Sequence, residues 1–473
     1  MRNVTDLDVI DDRWRPTFHL CPSQGLINDP NGLIYWRGAY HVFYQWNPTG
    51  CTHLNKHWAH AKSTDLIHWE RLPIAITPDM PYDAQGCYSG SAVDVGDAMV
   101  LMYTGNVRDE AGGRSSYQCL ARSSDGVRFD KLGPVIDGAP PGYTDHFRDP
   151  KLWRQNDAWH AVIGAQRDDL KGTVVLATSD DLHTWRIVGE LLAPTASCYM
   201  VECPDLFELD GESVLIGCWQ SEATRGGETR RDDVAGYLIG DVDLDTAAFS
   251  HGEFRLLDRG FDFYAPQTLL APDGRRLMIG WMGLPSQPDT PTVASGWTHC
   301  LTIPRELSVE GGRLRQRPLR ELERLRGAAV TMPETALEEG ESMALPQAPG
   351  AAWELDVSID SGTDGDWILH VFESDEQSLR VVHDGCRGRL TLVRHCPAAG
   401  HFDDLADCEI SADVTRLRLF VDSSSVEIFV NDGDEVFTTR CYPPSEPASP
   451  RVSAEHSLTL YRTTMWSLQN RDA

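Results

Sequence analysis

Short runs in which apolar and polar residues alternate, such as Tyr40-His41-Val42-Phe43-Tyr44 and Val100-Leu101-Met102-Tyr103, recur between breaks of Gly, Asp and Pro. A period of two is that of a strand with one face buried, and long amphipathic helices are absent from the pattern. The strands carry a recurring punctuation. A proline, once replaced by glycine, precedes an apolar run at Asp29-Pro30-Asn31-Gly32-Leu33-Ile34, Ser89-Gly90-Ser91-Ala92-Val93, Asp149-Pro150-Lys151-Leu152-Trp153, Cys203-Pro204-Asp205-Leu206-Phe207 and Ala265-Pro266-Gln267-Thr268-Leu269, in steps of 60, 60, 54 and 62 residues. A second series, Ser63-Thr64-Asp65-Leu66, Ser123-Ser124-Asp125-Gly126 and Ser179-Asp180-Asp181-Leu182, has starts 60 and 56 apart. Two unrelated markers on one period argue for a repeated supersecondary unit. Four short strands in about sixty residues make one blade of a β-propeller, so the five markers predict five blades. Equivalent positions in the blades face one axis, which places Asp29, Ser89, Asp149, Glu202 and Tyr264 together.

Beyond the fifth marker, Arg317-Pro318-Leu319-Arg320-Glu321-Leu322-Glu323-Arg324-Leu325 reads as a short helix, with proline early and leucines three apart. The stretch from Glu338 to Gly350, bearing Gly, Glu and Pro, reads as linker. From Trp353 onward strong alternation returns, as in Leu417-Arg418-Leu419-Phe420-Val421 and Val426-Glu427-Ile428-Phe429-Val430, with Asn431-Asp432-Gly433 as a hairpin turn. The expected fold is all-β: a five-bladed β-propeller over residues 1–325, a linker over 326–350 and a C-terminal β-sandwich over 351–473 that caps the propeller.

Composition narrows the function. The 473 residues hold 71 Asp and Glu against 42 Lys and Arg, a net charge of −29 that repels phosphate backbones and anionic lipid, so no nucleic-acid or membrane partner is expected. Residues 1–30 contain no apolar run of signal-peptide length, and nothing later approaches a membrane span; the expectation is a cytoplasmic protein. The twelve cysteines lack paired metal-ligand spacing and read as small buried residues in a reducing compartment. His53, His57 and His60 are close in sequence, but no carboxylate of matching spacing accompanies them, and no phosphate or dinucleotide fingerprint occurs; no metal and no cofactor are expected.

The candidate chemistry lies at the markers. Asp29 and Asp149 each precede a proline, and Glu202 stands just before Cys203-Pro204, so that three carboxyls sit at strand entrances whose backbone the proline restricts. Convergent carboxyls beside aromatic rings are what glycoside hydrolysis requires: one acid protonates the leaving oxygen while another carboxylate attacks the anomeric carbon or activates water. Trp46, Trp58, Tyr88, Phe147, Tyr264 and Trp281 supply aromatic surface near the markers.

In order, Asn28-Asp29-Pro30-Asn31-Gly32, Gln45-Trp46-Asn47-Pro48, Tyr88-Ser89-Gly90-Ser91, Phe147-Arg148-Asp149-Pro150, Glu202-Cys203-Pro204-Asp205, Phe263-Tyr264-Ala265-Pro266-Gln267, Gly280-Trp281-Met282 and Leu301-Thr302-Ile303-Pro304-Arg305-Glu306-Leu307 resemble the motifs of glycoside hydrolase family 32, the β-fructofuranosidases. The resemblance implies a five-bladed propeller with a β-sandwich and hydrolysis of terminal β-fructosides such as sucrose, short fructo-oligosaccharides or sucrose-6-phosphate. It implies Asp29 as nucleophile, Glu202 as acid and base, and Asp149 as transition-state stabiliser, with Asn28, Gln45, Trp58, Tyr88, Ser89, Arg148, Tyr264 and Trp281 lining the sugar site. Under that assignment Asp29 stays ionised, Glu202 keeps a proton up to a pH of about 6, and Arg148 holds Asp149 charged. Leu26-Ile27 and Val201 replace aromatic or Met positions common in the family, which leaves the leaving-group preference open. Lys56, placed at the pocket rim, is a candidate for a phosphate or for plain solvation. The same scaffold also admits a fructosyltransferase or a non-catalytic fructan-binding protein; the presence of both Asp29 and Glu202 argues against the latter.

Overall fold

A computed structural model describes residues 12–193, 198–225, 228–287, 290–347, 350–362, 365–410, 414–443 and 449–469. Each of the five sequence markers opens a sheet. The strands Gly25–Trp36, Cys87–Asp94, Tyr143–Gln155, Cys198–Leu209 and Tyr264–Leu270 each lead an antiparallel sheet whose main strands follow in chain order. These five leading strands touch one another in a closed cycle, the first against the second and the last against the first. The C-terminal side of the cycle is stitched by Trp297–Thr298, which pairs in parallel with Gly25 and Leu26.

The prolines now have a physical reason. In every leading strand the register with its neighbour slips at the marker, between Ile27 and Pro30, Tyr88 and Gly90, Arg148 and Lys151, Glu202 and Asp205, and Tyr264 and Gln267. A bulge leaves one residue unpaired and re-aims its side chain, and proline, lacking an N–H, is tolerated where a ladder bond is already lost. Glycine replaces it at position 90 because a Cβ there would lie 1.9 Å from the Met102 carbonyl oxygen. The residue after each of these positions joins neighbouring sheets: Asn31 Oδ1 accepts from Gly90 N, Ser91 Oγ donates to Pro150 O, Lys151 Nζ reaches Asp205 Oδ2 at 2.8 Å, Asp205 accepts from Thr268 N, and Gln267 donates to Gly90 O. The second marker series forms the turn between third and fourth strands. Ser63 and Ser123 accept from the backbone N–H three residues on, Ser179 from the N–H two residues on, and Leu66, Gly126 and Leu182 all take positive φ, between 66° and 73°.

Two further sheets follow. One runs Arg326–Met332, Leu458–Leu468, Ala352–Asp360, Val414–Asp422, Ser425–Val430, Glu435–Arg440, with Thr335–Leu337 beside Leu458–Leu468; the other runs Ser342–Ala344, Arg451–Ala454, Trp367–Glu373, Ser378–Asp384, Arg389–Cys396, His401–Glu409. Leu355, Trp367, Leu369, Leu379, Leu417 and Ile428 form the core between them. Asn431, Asp432 and Gly433 adopt positive φ in the expected hairpin turn.

Two expectations are corrected. Residues 326–350 are no linker: Arg326–Met332, Thr335–Leu337 and Ser342–Ala344 pair with the last strands of the chain, which offer edges that would otherwise carry unpaired backbone groups. The expected helix at 317–325 is a 3₁₀ turn over Arg320–Leu325, because Arg313–Pro318 is drawn into the fifth sheet; Leu322 and Leu325 remain buried as the spacing required. Among the described residues no helix is long and apolar enough to cross a membrane.

Candidate active site

The five bulges aim their side chains into the end of the ring, where a cavity of about 330 Å³ is lined by Asn28, Asp29, Gln45, His53, Lys56, Tyr88, Arg108, Arg114, Arg148, Asp149, Glu202, Tyr264, Trp281 and Pro285. Local backbone confirms the cost of that aim: Asp149, Cys203 and Ala265 sit at φ of 65°, 48° and 47°, a region that residues with a Cβ seldom occupy.

Asp29 is held by three neutral donors. Asn28 Nδ2 donates to Oδ1 at 2.9 Å, while Ser89 Oγ at 2.5 Å and Gln45 Nε2 at 3.2 Å donate to Oδ2. Gln45 also donates to Ser89 Oγ and accepts from Asn28, closing a small network. Asn28 in turn accepts at Oδ1 from Lys56 Nζ, whose other neighbour is His53 Nδ1 at 3.2 Å. The thiol of Cys203 lies 3.7 Å from an oxygen of both Asp29 and Asp149, which shows how near the two carboxyls approach. Asp149 accepts from Cys203 N at 3.1 Å, and its own N–H donates to Thr104. Glu202 receives Arg148 Nη2 at 2.7 Å and Nε at 3.2 Å on Oε1, and the Tyr264 hydroxyl at 2.8 Å on Oε2.

Burial dominates the electrostatics. It pushes Asp29 above the ordinary carboxylate value, the Ser89 and Asn28 hydrogen bonds opposing and the Glu202 charge assisting. It carries Asp149 to about 7, against the pull of Arg148 and with the help of Glu202 and Asp29. Burial also lowers Lys56 to about 7, although Asp29 resists, and lowers His53 to about 3 with Lys56 beside it. Desolvation works against the Arg148 charge, yet Glu202 and Asp149 raise it above the ordinary guanidinium value.

Nine of the residues expected from sequence line the cavity: Asn28, Asp29, Gln45, Tyr88, Arg148, Asp149, Glu202, Tyr264 and Trp281. Ser89 lies just behind, 1% exposed, and acts on the pocket through Asp29. Trp58 is no lining residue. It shares a sheet face with its cross-strand partner Gln45 but stands one strand further from the leading strand, where it is fully enclosed against Phe43 and Tyr103 and its Nε1 donates to the Tyr88 carbonyl. Lys56 is not on the rim; it is 3% exposed and holds Asn28. Arg148, expected to serve Asp149, makes its hydrogen bonds to Glu202 and stands 3.8 Å from Asp149. Sequence reasoning missed His53 as a wall residue and the pair Arg108 and Arg114, which lie off the marker period. Trp281 Nε1 is a buried donor without a partner in the described residues, available to a ligand hydroxyl.

Comparisons with known proteins agree with the motifs. Residues 19–318 match the model of the glycosyl hydrolases family 32 N-terminal domain and residues 321–467 that of the family 32 C terminal. The sucrose-6-phosphate hydrolase of Salmonella typhimurium is 44% identical over 439 residues, 91% of this chain and 89% of that protein. That of Bacillus subtilis is 41% identical over 445 residues, 91% and 90% of the two chains. Among solved structures, the sucrose-6-phosphate hydrolase of Lactobacillus gasseri superposes with a TM-score of 0.84 at 31% identity, covering 97% of this chain and 94% of its own. A Bombyx mori β-fructofuranosidase mutant in complex with sucrose gives 0.82 at 32% identity, with 97% and 95% covered.

Proposed function

The chain belongs to glycosyl hydrolase family 32, and from that premise we propose that it is a retaining glycosidase with Asp29 as nucleophile, Glu202 as acid and base, and Asp149 as stabiliser of the reacting fructosyl ring. The enzyme hydrolyses sucrose-type β-fructosides, a class that includes sucrose-6-phosphate. The observation that carries the residue roles is the meeting, in one small cavity, of three carboxyls delivered by three separate bulges. We assign catalysis to the unit spanning residues 1–325, with the two C-terminal sheets, which begin at Arg326, as its structural partner.

Asp29 attacks the anomeric carbon and forms a fructosyl ester while Glu202 passes its proton to the departing glucosyl oxygen. Glu202 then takes a proton from water, which resolves the ester with overall retention. Each neighbour has a part. The neutral network of Asn28, Gln45 and Ser89 fixes Asp29 without a direct cation to quench its nucleophilicity. Arg148 and Tyr264 already donate to the two oxygens of Glu202, so the negative charge left there after proton transfer is met without reorganisation. Asp149, close to Asp29 through Cys203, places negative charge where the oxocarbenium-like ring develops positive charge. Fructose release from sucrose, sucrose-6-phosphate and 1-kestose, with Asp29→Ala as the blank, tests the reading: release abolished in the variant is the expected result, and no release from any of the three by the wild type overturns it.

A further inference from the structure

Arg108 and Arg114 are paired directly across the turn end of the hairpin formed by Met99–Arg108 and Arg114–Ser123. Both line the catalytic cavity, Arg108 exposed and Arg114 half-buried, whereas Asn28, Asp29, Gln45 and Asp149 lie deep at its floor. The two guanidiniums thus stand at the mouth, above the groups assigned to the fructosyl ring.

With 71 acidic residues against 42 basic ones, several of its partly buried arginines are answered by carboxylates, Arg259 by Glu435, Arg275 by Glu321, Arg326 by Glu354 and Arg416 by Asp356, whereas Arg276 and Arg380, away from the cavity, have no ion pair among the described residues. Arg108 and Arg114 have no carboxylate partner among the described residues. Arg114 Nη1 lies 3.4 Å from His146 Nδ1 and its guanidinium 5.7 Å from the Tyr88 ring centre, while Arg148 Nη1 approaches the same His146 nitrogen at 2.9 Å. Burial and the charges of Arg148, Arg114 and Arg108 hold His146 neutral, down at about 3. Arg148 is balanced by Glu202 and Asp149, which leaves Arg108 and Arg114 lining the cavity with no carboxylate paired to them among the described residues. Two forked guanidiniums separated by a hairpin turn match a dianionic phosphate, which each can grip through two N–H groups. Lys56, the other cation of the pocket, is committed to Asn28.

We propose that Arg114 and Arg108 form a phosphate clamp at the pocket mouth that holds the 6-phosphate of a phosphorylated glucosyl leaving group and makes the enzyme selective for sucrose-6-phosphate over sucrose. This rests on the fructosidase reading above, which places the fructosyl ring at Asp29 and the leaving group outward. The clamp contributes binding in ground and transition states alike, so it acts mainly on KM.

The test is kcat/KM for sucrose-6-phosphate and for sucrose in the wild type, Arg114→Gln, Arg108→Gln, the double variant and Arg114→Lys, together with thermal shift of the wild type in glucose-6-phosphate and in glucose. The expected wild type prefers the phosphorylated substrate and is stabilised more by glucose-6-phosphate than by glucose. The preference ratio should fall about tenfold for each Gln substitution and roughly a hundredfold for the pair, with Arg114→Lys between, because lysine keeps the charge but loses the fork. A ratio unchanged in the double variant, equal losses on both substrates, or a wild type with no phosphate preference would overturn the clamp while leaving the fructosidase reading intact. Absence of fructose release from both substrates would overturn that reading and the clamp with it.

Discussion

At the seam between the ring of sheets and the two C-terminal sheets, His19, Asp258, Arg305, Asp422 and Glu427 are as deeply enclosed as the carboxyls of the pocket, yet every charge there meets its opposite. His19 lies between Asp422 at 2.8 Å and Glu427 at 3.1 Å, and Arg305 bridges Glu427 at 2.6 Å and Asp258 at 3.0 Å. Backbone N–H groups of Thr17, Phe18 and Ile303 satisfy the remaining oxygens. Burial opposes the charged forms, but for four of the five the partners prevail: His19 rises to about 9, Arg305 rises, and Asp422 and Glu427 fall below the ordinary carboxylate range, while Asp258 alone is pushed up by burial against the pull of Arg305. In the pocket the same burial prevails over neutral donors on Asp29 and a more distant guanidinium on Asp149, and both carboxyls rise. Identical residue types therefore serve opposite ends. Full pairing makes a joint, whereas incomplete pairing leaves a carboxylate that is reactive and costly to keep.

The comparison can be broken at either side. The largest effect is expected in the pocket, where Asp29→Asn should lower kcat by at least about 10⁴-fold with an unchanged far-UV circular dichroism spectrum. At the seam, Glu427→Gln should cost about 3–5 kcal/mol of stability in denaturant titration, because Arg305 and His19 would be left charged and enclosed, while kcat of the folded protein holds. A third prediction concerns pH. A histidine raised from 6.5 to about 9 contributes stability that is complete below 6.5 and lost as pH climbs through 9, so His19→Gln should remove up to roughly 3 kcal/mol of the fall in wild-type stability between those values. The smallest effect has the opposite sign. Asp149, raised to about 7, penalises the folded state as pH rises from the ordinary carboxylate value to 7; Asp149→Asn should gain about 1–3 kcal/mol of stability at pH 8 while losing activity. A loss of stability in that variant would mean that the pocket, too, is built as a joint.

Sequence made the pocket floor legible because each functional residue adjoins a bulge, and the bulge leaves a proline or glycine on a period near sixty. The same period explains why Arg108 and Arg114 escaped notice: they end the second and begin the third strand of their sheet, and no marker records where a hairpin meets the pocket. How far a strand stands from the leading strand cannot be read from one aromatic, so Trp58, on the third strand of its sheet, was expected at the site and is found in the core. Lys56 looked like a rim residue because lysine is seldom enclosed, and its commitment to Asn28 depends on a contact with a strand 28 residues earlier that no local pattern announces. The strands within residues 326–350 were hidden for a different reason: they are short, mostly exposed edges whose pairing partners lie over a hundred residues later.

The central claim, a covalent fructosyl ester on Asp29, is tested most directly by running turnover of sucrose in the presence of methanol and determining the anomeric configuration of the methyl fructofuranoside formed. Attack on an Asp29 ester from the face vacated by the leaving group predicts the β anomer, with none formed by Asp29→Asn. The α anomer would mean a single inverting displacement, and Asp29 would then have to be reassigned as the base that activates the acceptor.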